Sequence, residues 1–182
     1  NSQNKPVAIS TYPIGYELPN KIPNLNEENC NALVADYFNE KRDCMIRWKS
    51  AAVTSATKDK VYRGYAVAGG FLFTTAAVAR SCARYDDNLP RLFFGEELLL
   101  AVRLFCAGVD VYWPGSHIVL HLWSREHRPV FHKPEKIDPN IEWIKWSSQM
   151  KVWRRLHMYF AMKLAFSSAP WRHLRTAAQR SR

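Results

Sequence analysis

Leu92-Phe93-Phe94-Gly95-Glu96-Glu97-Leu98-Leu99-Leu100 is the stretch whose reading decides the fold. From Glu96 to about Ala107, apolar residues at Leu98, Leu99, Val102, Phe105 and Cys106 recur at helical spacing, and Gly108 supplies the stop. Glu96 and Glu97 then fall in the first turn, where the helix dipole favours anions. A glycine before paired glutamates can also place a carboxylate at the mouth of a sheet, where open α/β folds bind ligands. Taken alone, the pair is explained by helix-end electrostatics. Its surroundings carry the functional reading.

Upstream lies Ala68-Gly69-Gly70-Phe71-Leu72-Phe73, where paired glycines allow close backbone approach or positive φ. Thr74 or Thr75 is placed to cap a short helix running through Arg80. Downstream, Val109 to Trp113 reads as a strand closed by Pro114-Gly115. Ile118 to Trp123 reads as another, with Ile118, Leu120 and Leu122 on one face and His117, Val119, His121 and Trp123 on the other. Further out, Pro6 to Ser10, Met45 to Trp48 and Val61 to Tyr65 are β-prone, and Asn20 to Asn31 reads as an exposed loop. His127-Arg128-Pro129 is a turn, and Trp143 to about Phe166 is an amphipathic helix with Trp153, Leu156, Phe160 and Leu164 on one face. The expected fold is mixed α/β for residues 1–129, with a helical, basic extension over 130–182.

A chain of 182 residues that is 47% hydrophobic and 13% aromatic can build one proper core and is not disordered. Its formal charge of +10 is concentrated beyond Arg125, in residues such as Lys151, Arg154, Arg155 and Lys163. That excess fits attraction to polyanions or diphosphates, or a solvated tail. No nucleic-acid signature accompanies it, so no nucleic-acid partner is expected. The four cysteines lack CxxC pairing, which argues against a zinc ribbon and leaves disulfides open. His117, His121, His127 and His132 do not fit the spacing of a zinc-hydrolase helix. No apolar run reaches membrane-spanning length. Because the chain opens on Asn1, it reads as the C-terminal piece of a longer protein, with any Golgi anchor upstream and a cytoplasmic location as the other possibility.

His121 has two readings, a core histidine satisfied by a backbone partner or a metal ligand suited to Mn²⁺ beside diphosphate oxygens. Trp123 and Arg125 are placed to stack on and pair with a ligand, or to form a cation–π pair at an edge.

The order Tyr12-Pro13, Gly69-Gly70-Phe71, Tyr85-Asp86, Leu89-Pro90, Phe93-Phe94-Gly95-Glu96-Glu97, Gly108-Val109-Asp110-Val111-Tyr112 and His121-Leu122-Trp123-Ser124-Arg125 resembles the Skp1-type protein-hydroxyproline N-acetylglucosaminyltransferases. The layout is also similar to mucin-type polypeptide GalNAc-transferases. The resemblance covers roughly Pro6 to Pro129. It implies the C-terminal, acceptor-side half of a GT-A fold, UDP-GlcNAc as donor, a divalent metal (Mn²⁺) and retention of configuration. The implied acceptor is a hydroxyl of hydroxyproline, Thr or Ser on a Skp1-like or mucin-like protein. By the same resemblance, Gly69 and Gly70 border the donor and acceptor site, and Glu96 and Glu97 face the transferred sugar or the acceptor hydroxyl. His121 is the last metal ligand, and Trp123 and Arg125 flank the diphosphate. The chain departs from the pattern in lacking a suitably placed Asp-x-Asp or Asp-x-His. Those ligands are expected upstream, or the chain is an inactive relative acting as a binding module.

Overall fold

The computed structural model describes residues 5–17, 21–23, 30–39, 45–53, 59–124 and 139–167, the last eight of these as backbone only. The architecture is mixed α/β. Its main sheet has four strands in the order β5-β7-β1-β6, built from β1 (Val7–Ser10), β5 (Val61–Gly64), β6 (Leu72–Thr74) and β7 (Asp110–Pro114). β1 runs parallel to β7, pairing Ala8 with Val111, and antiparallel to β6, pairing Ile9 with Phe73. Two further pairs extend the frame. β2 (Ile14–Tyr16) is parallel to β8 (Leu120–Leu122), and β3 (Cys30–Asn39) forms an antiparallel hairpin with β4 (Met45–Val53).

The helices form where the sequence provides starts and stops. Thr75 caps α1 (Ala76–Ser81), its hydroxyl accepting from the Val78 N–H at 3.3 Å. α2 (Glu96–Cys106) ends at Ala107, and Gly108 at φ +77° lets the chain turn away at once into β7. Its buried residues are Leu99, Leu100, Ala101, Val102 and Leu104. The expected stripe is therefore rotated: Phe105 is 54% exposed, and Leu104 takes the core position. The reason is that α2 is covered on two sides, so its apolar arc is broader than a single stripe.

One core cluster joins Ala8, Val67, Val78, Leu100, Leu104, Val109 and Val111 between sheet and helices. A second joins Met45, Leu89, Leu92, Leu99 and Val102 to Val152 and Leu156 of α3 (Pro139–Ser167). Within the described part of the basic extension, α3 thus packs directly on α2. Ser148, buried beside this contact, donates to the Pro90 carbonyl at 2.7 Å.

Where β4 meets the start of α2, the second cluster presses on Gly95. This glycine sits at φ +99°, and an added Cβ would lie 3.3 Å from both Met45 Sδ and Val152 Cγ1. Left-handed backbone and close neighbours both oppose a side chain here. Gly95→Ala is expected to cost about 1–3 kcal/mol, read as a lower urea midpoint at unchanged m-value.

Candidate active site

The end of β1 controls the site. Ser10, almost fully buried, accepts from the Ala68 N–H at 2.9 Å and donates to the Phe71 carbonyl at 2.8 Å. These bonds fix the turn in which Phe71 N–H also returns to the Ala68 carbonyl at 3.3 Å. Gly69 and Gly70 are its middle residues. Of the two reasons for glycine here, close approach is the operative one, since the positive-φ glycines of the described chain are Gly95 and Gly108. A Cβ on Gly70 would stand 2.6 Å from Pro13 Cγ, and one on Gly69 would stand 3.0 Å from Glu97 Oε1 and 3.2 Å from the Tyr85 hydroxyl.

That approach brings α2 into the site. Glu97 Oε1 accepts from the Gly69 N–H at 2.6 Å, which locks the first turn of α2 to the glycine turn. Burial pushes the Glu97 carboxyl above its usual range, and the Gly69 hydrogen bond pulls it partly back. Glu96 is raised by burial and then by the charge of Glu97. Its side chain stands between the cleft and a smaller cavity of about 80 Å³ lined also by Tyr85, Asp86 and Arg103. Burial and the two glutamates push Tyr85 up to about 12, so its phenol stays a donor. Tyr12 is raised by burial and by Glu97.

β2 and β8 supply the rest. Gly15 pairs with His121 across the parallel strands. The His121 ring stacks on Trp123 at 4.1 Å between centroids, and Trp123 stacks on Tyr12 at 5.2 Å and 13°. Gly15 makes room for this column, because a Cβ there would meet Trp123 Cδ1 at 2.7 Å.

One cleft of about 380 Å³ gathers these groups, with Gly69, Gly70, Glu96, Glu97, His121 and Trp123 all on its wall. Six residues singled out in the sequence therefore come together. The seventh, Arg125, lies outside the described residues. Asp86 serves its turn, accepting from the Asn88 N–H at 3.0 Å and pairing with Arg155.

Among the described residues, no three His, Cys, Asp or Glu side chains converge into a metal-sized cluster. Of the described histidines, His121 lines the cleft, on a wall shared with Glu96 and Glu97; His127 and His132 lie outside the described residues. Cys30, Cys82 and Cys106 are free thiols. Among the described residues, no helix is long and apolar enough to cross a membrane.

Sequence reading missed one whole wall. Leu33, Ile46, Arg47 and Trp48 of the β3–β4 hairpin line the cleft, and the Arg47 guanidinium sits 4.0 Å over the Phe94 ring. The charged run Asn39 to Asp43 between two apolar segments was the available hairpin signal. β3 itself was hidden because its apolar residues scarcely alternate with polar ones. Tyr12 and Tyr85 stood in the motif order without an assigned part.

The family described as Glycosyltransferase (GlcNAc) matches residues 2–180. No curated protein and no solved structure matches the chain. The family match takes in both halves of the cleft and the helices behind it, and the chain belongs to this GlcNAc glycosyltransferase family.

Proposed function

We propose that this chain forms the acceptor-side half of a retaining, GT-A-type transferase that moves GlcNAc from UDP-GlcNAc to a hydroxyl of hydroxyproline, Thr or Ser on a Skp1-like or mucin-like protein. The observation that carries this reading is the meeting of the glycine turn, two raised carboxylates and the Tyr12–Trp123–His121 ring column in one cleft.

The chemistry asks three things of such a cleft. The bond from the anomeric carbon to the diphosphate must break, with its electron pair leaving on UDP. The acceptor oxygen must then bond to that carbon on the same face, and its proton must leave, here to the departing phosphate oxygen. Glu96, held beside Glu97 in a partly dry wall, opposes the positive charge that develops on the sugar ring. Glu97 is committed to the Gly69 N–H and holds the turn against the helix. A double-displacement nucleophile is not assigned to either.

Trp123, stacked on both Tyr12 and His121, would flank the diphosphate with its exposed edge, and Arg125 would pair with the phosphates. His121 is the residue that would hold a Mn²⁺ ion, with the other positions filled by donor oxygens and groups beyond the described residues. When bound, such an ion offsets the charge building on the diphosphate.

The test is UDP release by the full-length protein, expected to be about tenfold or more faster from UDP-GlcNAc than from UDP-glucose and to stop with EDTA. Equal rates with both donors would sink the donor assignment. His121→Ala is expected to weaken Mn²⁺-dependent UDP binding about tenfold or more, measured by calorimetry. An unchanged affinity would remove His121 from the metal site.

A further inference from the structure

The cleft lining divides into two chemically different groups. Tyr12, His121 and Trp123 form the stacked ring column near the glycine turn. Leu33, Ile46 and Trp48 come instead from the β3–β4 hairpin and bring aliphatic and indole surface to the same cleft. Register places these three together. Leu33 pairs with Ser50 and Ala35 with Trp48, and side chains alternate along each strand, so Leu33, Ile46 and Trp48 share one hairpin face.

The opposite face supplies the anchor through Met45, while Arg47 reaches round to the cleft. Met45 is buried in the second core cluster beside Gly95, and Arg47 covers the Phe94 ring. At the far end, Cys30 and Ala32 are buried, and the Thr11 hydroxyl reaches the Asn31 carbonyl at 3.5 Å. The hairpin is thus tied down at both ends and stands as a preformed wall, which lowers the ordering cost of whatever it binds.

We infer that this wall selects the acceptor. Leu33, Ile46 and Trp48 receive apolar side chains flanking the accepting hydroxyl of a polypeptide. The Arg47 guanidinium of the same wall is engaged over the Phe94 ring, and a glycan set against Leu33 and Ile46 would find no hydrogen-bonding group on those two side chains. An apolar side chain has no hydrogen bond to lose there and gains burial. The inference rests on the proposed reading of the cleft as the transfer site, and it deepens that reading by naming what flanks the acceptor.

The test uses two fluorescein-labelled peptides on the full-length protein, each with one central Thr, flanked by Val and Leu in one and by Ser and Gly in the other. Fluorescence anisotropy is expected to give about tenfold or more tighter binding of the apolar-flanked peptide. Trp48→Ala is expected to abolish that preference and Trp48→Phe to keep most of it. Leu33→Ser and Ile46→Ser, made singly, supply the same test should Trp48→Ala fail to fold, as judged by circular dichroism. Equal binding of the two peptides, or a preference that survives in every folded variant, overturns the inference. UDP release from UDP-GlcNAc by the unaltered protein, with the Thr peptide present as acceptor, is scored separately. Its failure counts against the transferase reading, whereas the peptide preference is decided by the anisotropy alone.

Discussion

Glu96→Gln in the full-length protein is expected to lower GlcNAc transfer about 100-fold or more while raising the melting temperature at neutral pH. Both effects come from one property. Burial, and then the neighbouring charge of Glu97, raise the Glu96 carboxyl above its usual value. The dipole of α2 favours an anion in this first turn and so works against that shift. A carboxyl whose folded-state pKa exceeds its unfolded one contributes stability that is fully present below the unfolded value, near 4.3. That contribution is lost as the pH rises through the folded value. At neutral pH the folded protein thus holds a charge its surroundings disfavour. Glutamine keeps the shape and removes the charge, so the variant should melt higher at pH 7, and the gap should close towards pH 4. Transfer is expected to fall because the proposed mechanism sets this same charge against the developing cation. UDP affinity should change by less than about twofold, since uniform binding is untouched. Transfer at the unaltered rate, or a lower melting temperature at pH 7, would remove Glu96 from this part.

How much of this was legible follows from where each signal is local. α2 could be read because its period, its first-turn acids and its terminal Gly108 all lie within one short stretch. The Thr75 cap was read for the same reason. β2 was not, because Ile14-Gly15-Tyr16 is too short for a pattern and exists through its parallel partner β8, about a hundred residues on. The site followed the same division. Gly69-Gly70, Glu96-Glu97 and His121 stand out as residue types, so their motifs could be placed without coordinates. The ring column could not, because Tyr12 meets Trp123 only through the β2–β8 pairing that brings Gly15 beneath the indole. The hairpin wall was missed because nothing near Trp48 in the sequence indicates that Phe94 lies across from Arg47.

Gly70→Ala is expected to be among the most damaging single substitutions in the described chain, and its contrast with Gly69→Ala separates packing from function. At Gly70 the new methyl would lie 2.6 Å from Pro13 Cγ and 2.9 Å from Pro13 Cδ. A proline ring cannot swing aside as a long side chain can, and Pro13 directly precedes β2. The turn cannot retreat either, since Ser10 holds Ala68 on one side and Phe71 on the other. Both partners being fixed, overpacking should cost about 2–3 kcal/mol, or about 4–12 °C in melting temperature for a chain of this size. At Gly69 the methyl would meet Glu97 Oε1 at 3.0 Å and the Tyr85 hydroxyl at 3.2 Å, the tips of side chains that can rotate. The fold can yield there for less than about 1 kcal/mol. What gives way is the 2.6 Å bond from the Gly69 N–H to Glu97, so Gly69→Ala should lose transfer while melting nearly as the unaltered protein does. Thermal melts beside transfer assays distinguish the two. A Gly70→Ala protein that melts normally would mean that β2 and the glycine turn do not press together as described. A Gly69→Ala protein with full activity would mean that the Glu97 latch does not matter for transfer.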